Sequence, residues 1–315
     1  MRCVLGIDTS NYTTSAALFC PDDGRMIQQK MLLPVKPGER GLRQSDAVFH
    51  HTVQLPQIMS RLFAEAGDVS VAAIGVSEKP RLVDGSYMPC FLCGTGLAES
   101  LSAVTSAAVH KTSHQIGHVL AALFSAGQLH LVNERFIAFH VSGGTTDCLL
   151  CEPDSEHIIK ITEIASSSDL KAGQAIDRCG VMLGLKFPCG AELEKLAVNS
   201  SRKFKIRPVV RDGCCSLSGI ENKCAAMLAN GENREDIARF CIESVLAAVG
   251  SMTEYAIGKM GELPVVYAGG VMSDKIIREK LENRYGAYFA SPEFSCDNAA
   301  GTAVYAALSE GLIKI

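Results

Sequence analysis

Apolar and polar positions along the first thirty residues fall into three strand-like runs, Val4-Leu-Gly-Ile-Asp-Thr-Ser10, Thr14-Ser-Ala-Ala-Leu-Phe-Cys20 and Arg25-Met-Ile-Gln-Gln-Lys-Met-Leu32. A polar turn separates the first two and an acidic turn the second two. The same grammar returns from Phe136: Phe136-Ile-Ala-Phe-His-Val141 enters Ser-Gly-Gly-Thr-Thr, Asp147-Cys-Leu-Leu-Cys151 follows, Glu152-Pro-Asp-Ser-Glu156 is the acidic turn, and His157-Ile-Ile-Lys-Ile-Thr162 closes the set. Each set leads into alternating helix and strand patterns, with the buried runs Ala72-Ala-Ile-Gly-Val76 in the first half and Pro264-Val-Val-Tyr-Ala268 in the second. This repetition predicts a duplicated α/β fold of two lobes with a central cleft. The expected lobes are residues 1–132, with a C-terminal helix 297–315 packing back on them, and 133–296.

A helix is predicted from His114, with Ser113 as its cap, so that His114 and His118 in His114-Gln-Ile-Gly-His118 project from one face. Two imidazoles four residues apart are half of a metal site, and equally the capping or surface histidines of an amphipathic helix. Zinc proteases use such a pair, but here Gln115 follows the first histidine, and a neutral amide cannot serve as the base that metal-assisted hydrolysis needs.

Composition narrows the class. The chain has 315 residues, is 47% hydrophobic and carries a formal charge of −4. That supports a substantial core and gives no global electrostatic footprint for nucleic acid. A local footprint exists in Arg202, Lys203, Lys205, Arg207 and Arg211, which read either as a solvated loop or as phosphate contacts. No leader or membrane-spanning run is visible, so a cytoplasmic protein is expected. The 13 cysteines are odd in number and sit in apolar contexts, as at Cys148, Cys179 and Cys241, which predicts buried thiols and no structural disulfide. The pairs Cys90/Cys93 and Cys148/Cys151 lack zinc-ribbon spacing, and the second lies on a strand whose residues three apart face opposite ways.

Three loops suit a nucleotide. Asp8-Thr-Ser-Asn-Tyr-Thr-Thr14 and Ser142-Gly-Gly-Thr-Thr-Asp147 follow the first strand of each half, and Ala268-Gly-Gly-Val271 follows a buried strand ahead of the helical Ser273-Asp-Lys-Ile-Ile-Arg278. Backbone N–H groups and hydroxyls in such loops cradle phosphates, and glycines let the backbone approach a flat ligand.

Taken together, Val4–Ser10, His114–His118, Val141-Ser-Gly-Gly-Thr-Thr146, Ala172-Gly-Gln-Ala-Ile-Asp177, Phe187-Pro-Cys-Gly-Ala-Glu192, Leu217-Ser-Gly219, Ala268-Gly-Gly270 and Cys296-Asp-Asn-Ala299 occur in an order that resembles the TsaD/Gcp/Qri group of actin/sugar kinase/Hsp70-like (ASKHA) enzymes. The resemblance implies a transferase that moves threonylcarbamoyl from its adenylate to N6 of a tRNA adenosine, working with tRNA and with protein partners of that machinery, and with no membrane. It implies one divalent metal, Fe or Zn, held by His114, His118 and Asp297 and assembled across the lobe junction, and His140, at a position where some members add an aromatic ligand, is expected as a fourth ligand. It further implies ATP, AMP or threonylcarbamoyl-AMP as ligand, with Mg as a further candidate ion. Ser142, Gly143, Gly144 and Thr145 match the carbamoyl-phosphate loop; Asp177, Gly190, Gly269 and Gly270 match the ribose and adenine seat; Asp8 and Asp274, in the surrounding loops, are expected among the nucleotide-binding residues.

Several positions depart from the family pattern. The opening loop Asn11–Thr14 lacks the usual acids and cysteine, Thr145 replaces a histidine, the acidic run before Asp177 retains Asp169 but has Leu170, Lys171 and Gln174, Asp274 replaces an asparagine, and Ser77-Glu-Lys-Pro-Arg81 replaces Gly-Pro-Gly. These changes fall on the substrate side and describe a divergent paralogue with its metal set intact. The competing readings are a nucleotide-binding scaffold without catalysis and a carbamoyl or acyl transferase with another acceptor; a metalloprotease is the least supported.

Overall fold

The computed structural model describes residues 1–10, 12–34, 42–313 and 315; Asn11, in the opening loop, lies outside them. The chain divides into two compact units, one of residues 1–130, 154–159 and 296–315, the other of 131–153 and 160–295.

In the first unit, β1 (Arg2–Asp8), β2 (Thr13–Cys20), β3 (Arg25–Leu32), β4 (Ser70–Lys79) and β5 (Ala108–Ser113) form one sheet in the order β3-β2-β1-β4-β5. The first three strands are an antiparallel meander, and β4 and β5 run parallel to β1. Both faces of β1 are covered, which is why it reads as a continuous apolar run. Leu5 and Ile7 pack with α1 (Gln44–Ala66) and α2 (Phe91–Thr105), whereas Val4 packs with α9 (Ala300–Ser309). Between β5 and the second unit lies α3 (His114–Ser125), whose first turn is capped by Ser113 Oγ accepting from the Ile116 N–H.

Helix α9 sits unusually close to its neighbours. A Cβ on Gly75 of β4 would lie 1.8 Å from the Thr302 carbonyl oxygen, and one on Gly301 would lie 1.7 Å from the Gly117 carbonyl oxygen of α3. Backbone therefore meets backbone, and no side chain fits at either position.

Against the expectation of no disulfide, Cys3 and Cys20 are joined. The β1/β2 register, with Val4 opposite Phe19, sets these residues opposite each other with Cα atoms 4.3 Å apart. That is the close spacing of a non-hydrogen-bonded antiparallel pair. A count of cysteines carries no information about strand register, and so missed it. The other 11 cysteines, all described, form no disulfide.

The second unit repeats the topology. Its strands β6 (Phe136–Val141), β7 (Thr146–Asp154), β8 (Ile158–Ser166), β11 (Val265–Ala268) and β12 (Tyr288–Phe289) are ordered β12-β11-β6-β7-β8. Read from the other edge, this is the order of the first sheet, so the duplication inferred from sequence is present. Ile137, Phe139 and Val141 of β6 share a core with α4 (Ala172–Met182), α6 (Ser218–Ala229) and α7 (Arg234–Met260). Helices α5 (Gly190–Val198) and α8 (Lys275–Tyr285) and the hairpin β9 (Val209–Arg211)–β10 (Cys214–Ser216) complete the unit. By length and composition α7 alone among the described helices could cross a membrane, but 61% of its most apolar window is buried in the protein.

The two glycines at the α3–α9 contact are not equivalent. A Cβ on Gly117 would meet Thr302 Cγ2 at 3.5 Å, an ordinary contact. Gly301→Ala is expected to destabilise the protein by about 3 kcal/mol or more, since the obstacle is backbone, while Gly117→Ala stays within about 1 kcal/mol of the parent. Denaturant titration of both variants checks this; equal effects would show that the helices separate at little cost.

Candidate metal centre and nucleotide loops

The histidine pair stands at the N-terminal end of α3, and Asp297 lies three residues before the start of α9. Because α3 and α9 touch through Gly117 and Gly301, one turn from His114 and at the first turn of α9, the three side chains converge. His114 Nε2 and His118 Nε2 are 2.8 Å apart, and Asp297 Oδ1 lies 3.3 Å from His118 Nε2 and 3.7 Å from His114 Nε2. Ligand bonds of about 2.0–2.2 Å to a common ion place neighbouring donors about 3.0–3.5 Å apart. The observed edges, from 2.8 to 3.7 Å, bracket that spacing, and imidazole with carboxylate is a donor set for a transition metal rather than for Mg. All three residues belong to the first unit. This corrects the expectation of a metal set assembled across the lobe junction: residue 297 is packed with the first lobe by its own helix.

Asp8, grouped by the resemblance with the nucleotide loops, stands behind His114. Its Oδ2 is 2.7 Å from His114 Nδ1, and its Oδ1 accepts from the Ser10 N–H at 2.7 Å. Asp8 is fully buried at the end of β1. Burial opposes charge on both partners, but the mutual attraction and hydrogen bond outweigh it. Asp8 is held below the usual carboxylate range, and Asp8, helped by Asp297, raises His114 to about 9. With Nδ1–H donated to Asp8, Nε2 is the nitrogen turned to the other donors, which is the carboxylate–histidine arrangement that orients metal ligands. An ion at Nε2 takes the place of the proton there. Thr13 Oγ1 donates to Asp297 Oδ2 at 3.4 Å.

His140 lies on β6 in the second unit, half-buried; the convergent set is His114, His118 and Asp297.

The Ser142–Thr145 loop joins β6 to β7 and is folded on itself. The Gly144 and Thr145 N–H groups donate to Ser142 Oγ at 3.2 Å, and Ser142 Oγ pairs with Thr145 Oγ1 at 2.9 Å. Positions 143 and 144 have open space where side chains would stand. The first turn of α4 rests on this loop: the Gly173 N–H donates to the Ser142 carbonyl, and a Cβ on Gly173 would come within 2.6 Å of the Gly143 nitrogen. Asp177 of α4 accepts the Cys189 N–H at Oδ1, 2.8 Å, which brings it beside Gly190 at the start of α5. Gly269 ends β11 with φ 102°, and a Cβ there would strike the Val141 carbonyl oxygen at 2.2 Å; Gly270 next to it is open.

Asp274 is the N-cap of α8, its Oδ1 accepting from the Ile277 N–H at 3.0 Å, and it is buried. Burial, reinforced by Glu194 and opposed by the helix N–H groups and Arg239, pushes its carboxyl up to about 6. The retained Asp169 is spoken for: it accepts from Ser216 Oγ, Ser218 Oγ and the Leu217 N–H, fixing the start of α6, and these donors outweigh desolvation and hold it well below the carboxylate range. Of the five basic residues, Arg202 is paired with Glu232 and Asp236 and lies over the Phe204 ring. Lys203, Lys205, Arg207 and Arg211 are exposed. A surface cavity of about 250 Å³, lined by Phe204, Ile206, Lys280 and Arg284 among others, contains none of the loop residues above.

A family model described as "TsaD: tRNA N6-adenosine threonylcarbamoyltransferase" matches residues 35–304. The tRNA N6-adenosine threonylcarbamoyltransferase of Methanopyrus kandleri is 25% identical over 89% of this chain and 80% of its own length. That of Aromatoleum aromaticum is 29% identical over 97% of this chain and 90% of its own. Among solved structures, component A of the Acidaminococcus fermentans (R)-2-hydroxyglutaryl-CoA dehydratase superposes with a TM-score of 0.58, covering 99% of this chain and 100% of that one at 18% identity. The fold is thus the duplicated actin/Hsp70-like α/β fold expected from sequence.

Two predictions follow from this geometry. Asp8→Asn should weaken Fe(II) binding at this site about 10–100-fold without changing its stoichiometry, whereas His118→Ala should abolish binding at this site; anaerobic calorimetric titration measures both, and an unchanged affinity in Asp8→Asn would remove its orienting role. In the same titration, an unaltered His140→Leu leaves the three-residue set as the whole protein shell. Asp274, with its folded pKa above the ordinary 3.8, contributes stability that is full below about pH 4 and is lost as pH rises through about 6. Asp274→Asn keeps the cap without the charge. It should raise stability by about 1–3 kcal/mol at pH 7.5 and by nothing at pH 3.5, read from denaturant melts at both pH values.

Proposed function

The chain belongs to the tRNA N6-adenosine threonylcarbamoyltransferase family, and from that premise we propose that it transfers the threonylcarbamoyl group of threonylcarbamoyl-AMP to the N6 amine of an adenosine in tRNA. In this reaction a carbon–nitrogen bond to the amine replaces the carbonyl carbon–oxygen bond to phosphate, the amine gives up a proton, and AMP leaves. The observation that carries the reading is the convergence of His114, His118 and Asp297, with Asp8 fixing the tautomer of His114.

In the first unit His114, His118 and Asp297 would hold a divalent ion of the Fe or Zn class. Such an ion, when bound, supplies Lewis acidity toward a carbonyl or phosphate oxygen and offsets charge that develops on the leaving group. Asp8 holds a proton on His114 Nδ1, which would leave Nε2 as the nitrogen offered to the cation. In the second unit the loop 142–145 suits the carbamoyl-phosphate part of the adenylate, because Gly143 and Gly144 leave its backbone approachable. Asp177 uses Oδ1 on Cys189, and Oδ2 is assigned to ribose hydroxyls; Gly190 and Gly270 border the adenine. Asp274, whose charge would oppose a nearby phosphate, instead faces the N–H groups of α8. Departure from the family's asparagine at this position is therefore compatible with an adenylate.

Exposed Lys203, Lys205, Arg207 and Arg211 are the tRNA contacts of this reading, each cation neutralising about one phosphate. Protein partners of the same modification pathway and a cytoplasmic setting go with it.

Purified protein incubated with threonylcarbamoyl-AMP and unmodified tRNA, with and without the family's partner proteins, should yield N6-threonylcarbamoyl-adenosine on nucleoside analysis. His118→Ala should lower the yield rate at least about 100-fold, a loss of roughly 2.7 kcal/mol of transition-state stabilisation. Binding of the adenylate with no modified nucleoside under any partner combination would sink the transferase reading and leave a nucleotide-binding scaffold.

A further inference from the structure

Three cysteines that play no part in the proposed transfer meet inside the second unit. Cys179 comes from α4, Cys224 from α6 and Cys241 from α7, and their sulfur atoms all lie within 4.8 Å of one another. Each is completely buried, in the core shared by Ile176, Ile220 and Ile237. Sequence separations of 45 and 17 residues mean that the triangle exists only because the three helices pack together.

The unit holds further buried thiols outside this triangle. Cys148 and Cys151 on β7 are pushed far above the ordinary thiol range, chiefly by burial. Cys241 Sγ approaches the Ala175 carbonyl of α4 at 3.8 Å. Three sulfurs bound to one ion at about 2.3 Å would stand about 4.0 Å apart in a trigonal arrangement, which the observed triangle accommodates.

We infer that Cys179, Cys224 and Cys241 form a structural binding site for a soft closed-shell cation, of the Zn(II), Cd(II) or Cu(I) class, pinning α4, α6 and α7 together. Thiolate is the donor that such ions prefer. Binding releases the three S–H protons as three sulfur–metal bonds form, with no change of oxidation state. The imidazole and carboxylate site of the first unit is a separate donor set, so loss of either leaves the other testable.

The test uses the full chain, reduced, unfolded and refolded with Cd(II). Thiolate-to-Cd(II) charge-transfer absorption should appear with an intensity of three sulfur–cadmium bonds per chain and survive gel filtration; the His114–His118–Asp297 set contributes nothing to that band. The variant Cys179→Ala/Cys224→Ala/Cys241→Ala keeps every other cysteine and should lose the band. A second measurement needs no variant. In mild denaturant, Zn(II) at about ten times its dissociation constant should slow alkylation of Cys179, Cys224 and Cys241 about tenfold relative to chelator, while Cys148 and Cys151 react as before. Absence of the band in the refolded parent, its persistence in the triple variant, or protection spread equally to Cys148 and Cys151 would overturn the site.

Discussion

The candidate metal centre depends on one backbone contact. Helix α9 approaches α3 so closely that the carbonyl of Gly117 occupies the space where a side chain at 301 would begin. This contact brings the C-terminal Asp297 to two histidines on α3 that precede it by some 180 residues. A side chain at position 301 would push α9 outward, and a displacement of about one ångström is several times the roughly 0.2 Å tolerance of a ligand bond. The contact is held from the other side by Gly75, over which the Thr302 carbonyl sits. Sheet, α9 and α3 therefore form one packed stack, and the ligands are attached to its end.

Asp8 couples that stack to the chemistry of the ligands. A carboxylate at the end of a fully buried central strand would be costly by itself, and His114 and the Ser10 N–H are what make it tolerable. The same bond serves the imidazole, fixing which nitrogen carries the proton. One interaction thus satisfies a buried charge and orients an imidazole of the candidate metal centre. Substitution of Asp8 removes both functions at once, so its effects on folding and on binding must be read by separate measurements.

Much of this was legible in the sequence. The strand–turn–strand grammar repeats because both central strands, β1 and β6, are covered on two faces and are continuously apolar; the structure has the same strand order in both sheets. The Ser113 cap and the helical spacing of His114 and His118 were visible from local chemistry alone. Asp297 came only through the family resemblance, since no local pattern ties residue 297 to residue 118. Gly117 stood inside the quoted motif and Gly301 just beyond one, yet their role needs the partner helix to be present before it has meaning. Asp8 read as a loop acid because nothing in a strand's sequence tells which far residue its last side chain will meet. The Cys3–Cys20 pair required the register of β1 against β2, and the three-thiol cluster required the packing of three helices.

Duplication of the fold did not duplicate its chemistry. The ends of β1 and β6 occupy equivalent places in their sheets, yet the first carries Asp8, a buried charge aimed at a histidine, and the second opens into Ser142-Gly-Gly, a loop closed by its own serine hydroxyl. In the first unit, glycine removes side chains so that a helix can come near and bring ligands with it. In the second, Gly173 and Gly269 do so where α4 and the end of β11 press on residues 141–143, leaving Gly143 and Gly144 with nothing above them. The same steric device builds a set of charged side chains in one copy and an accessible stretch of backbone in the other. That division puts His114, His118 and Asp297 in one copy of the repeated topology and the Ser142–Thr145 loop in the other.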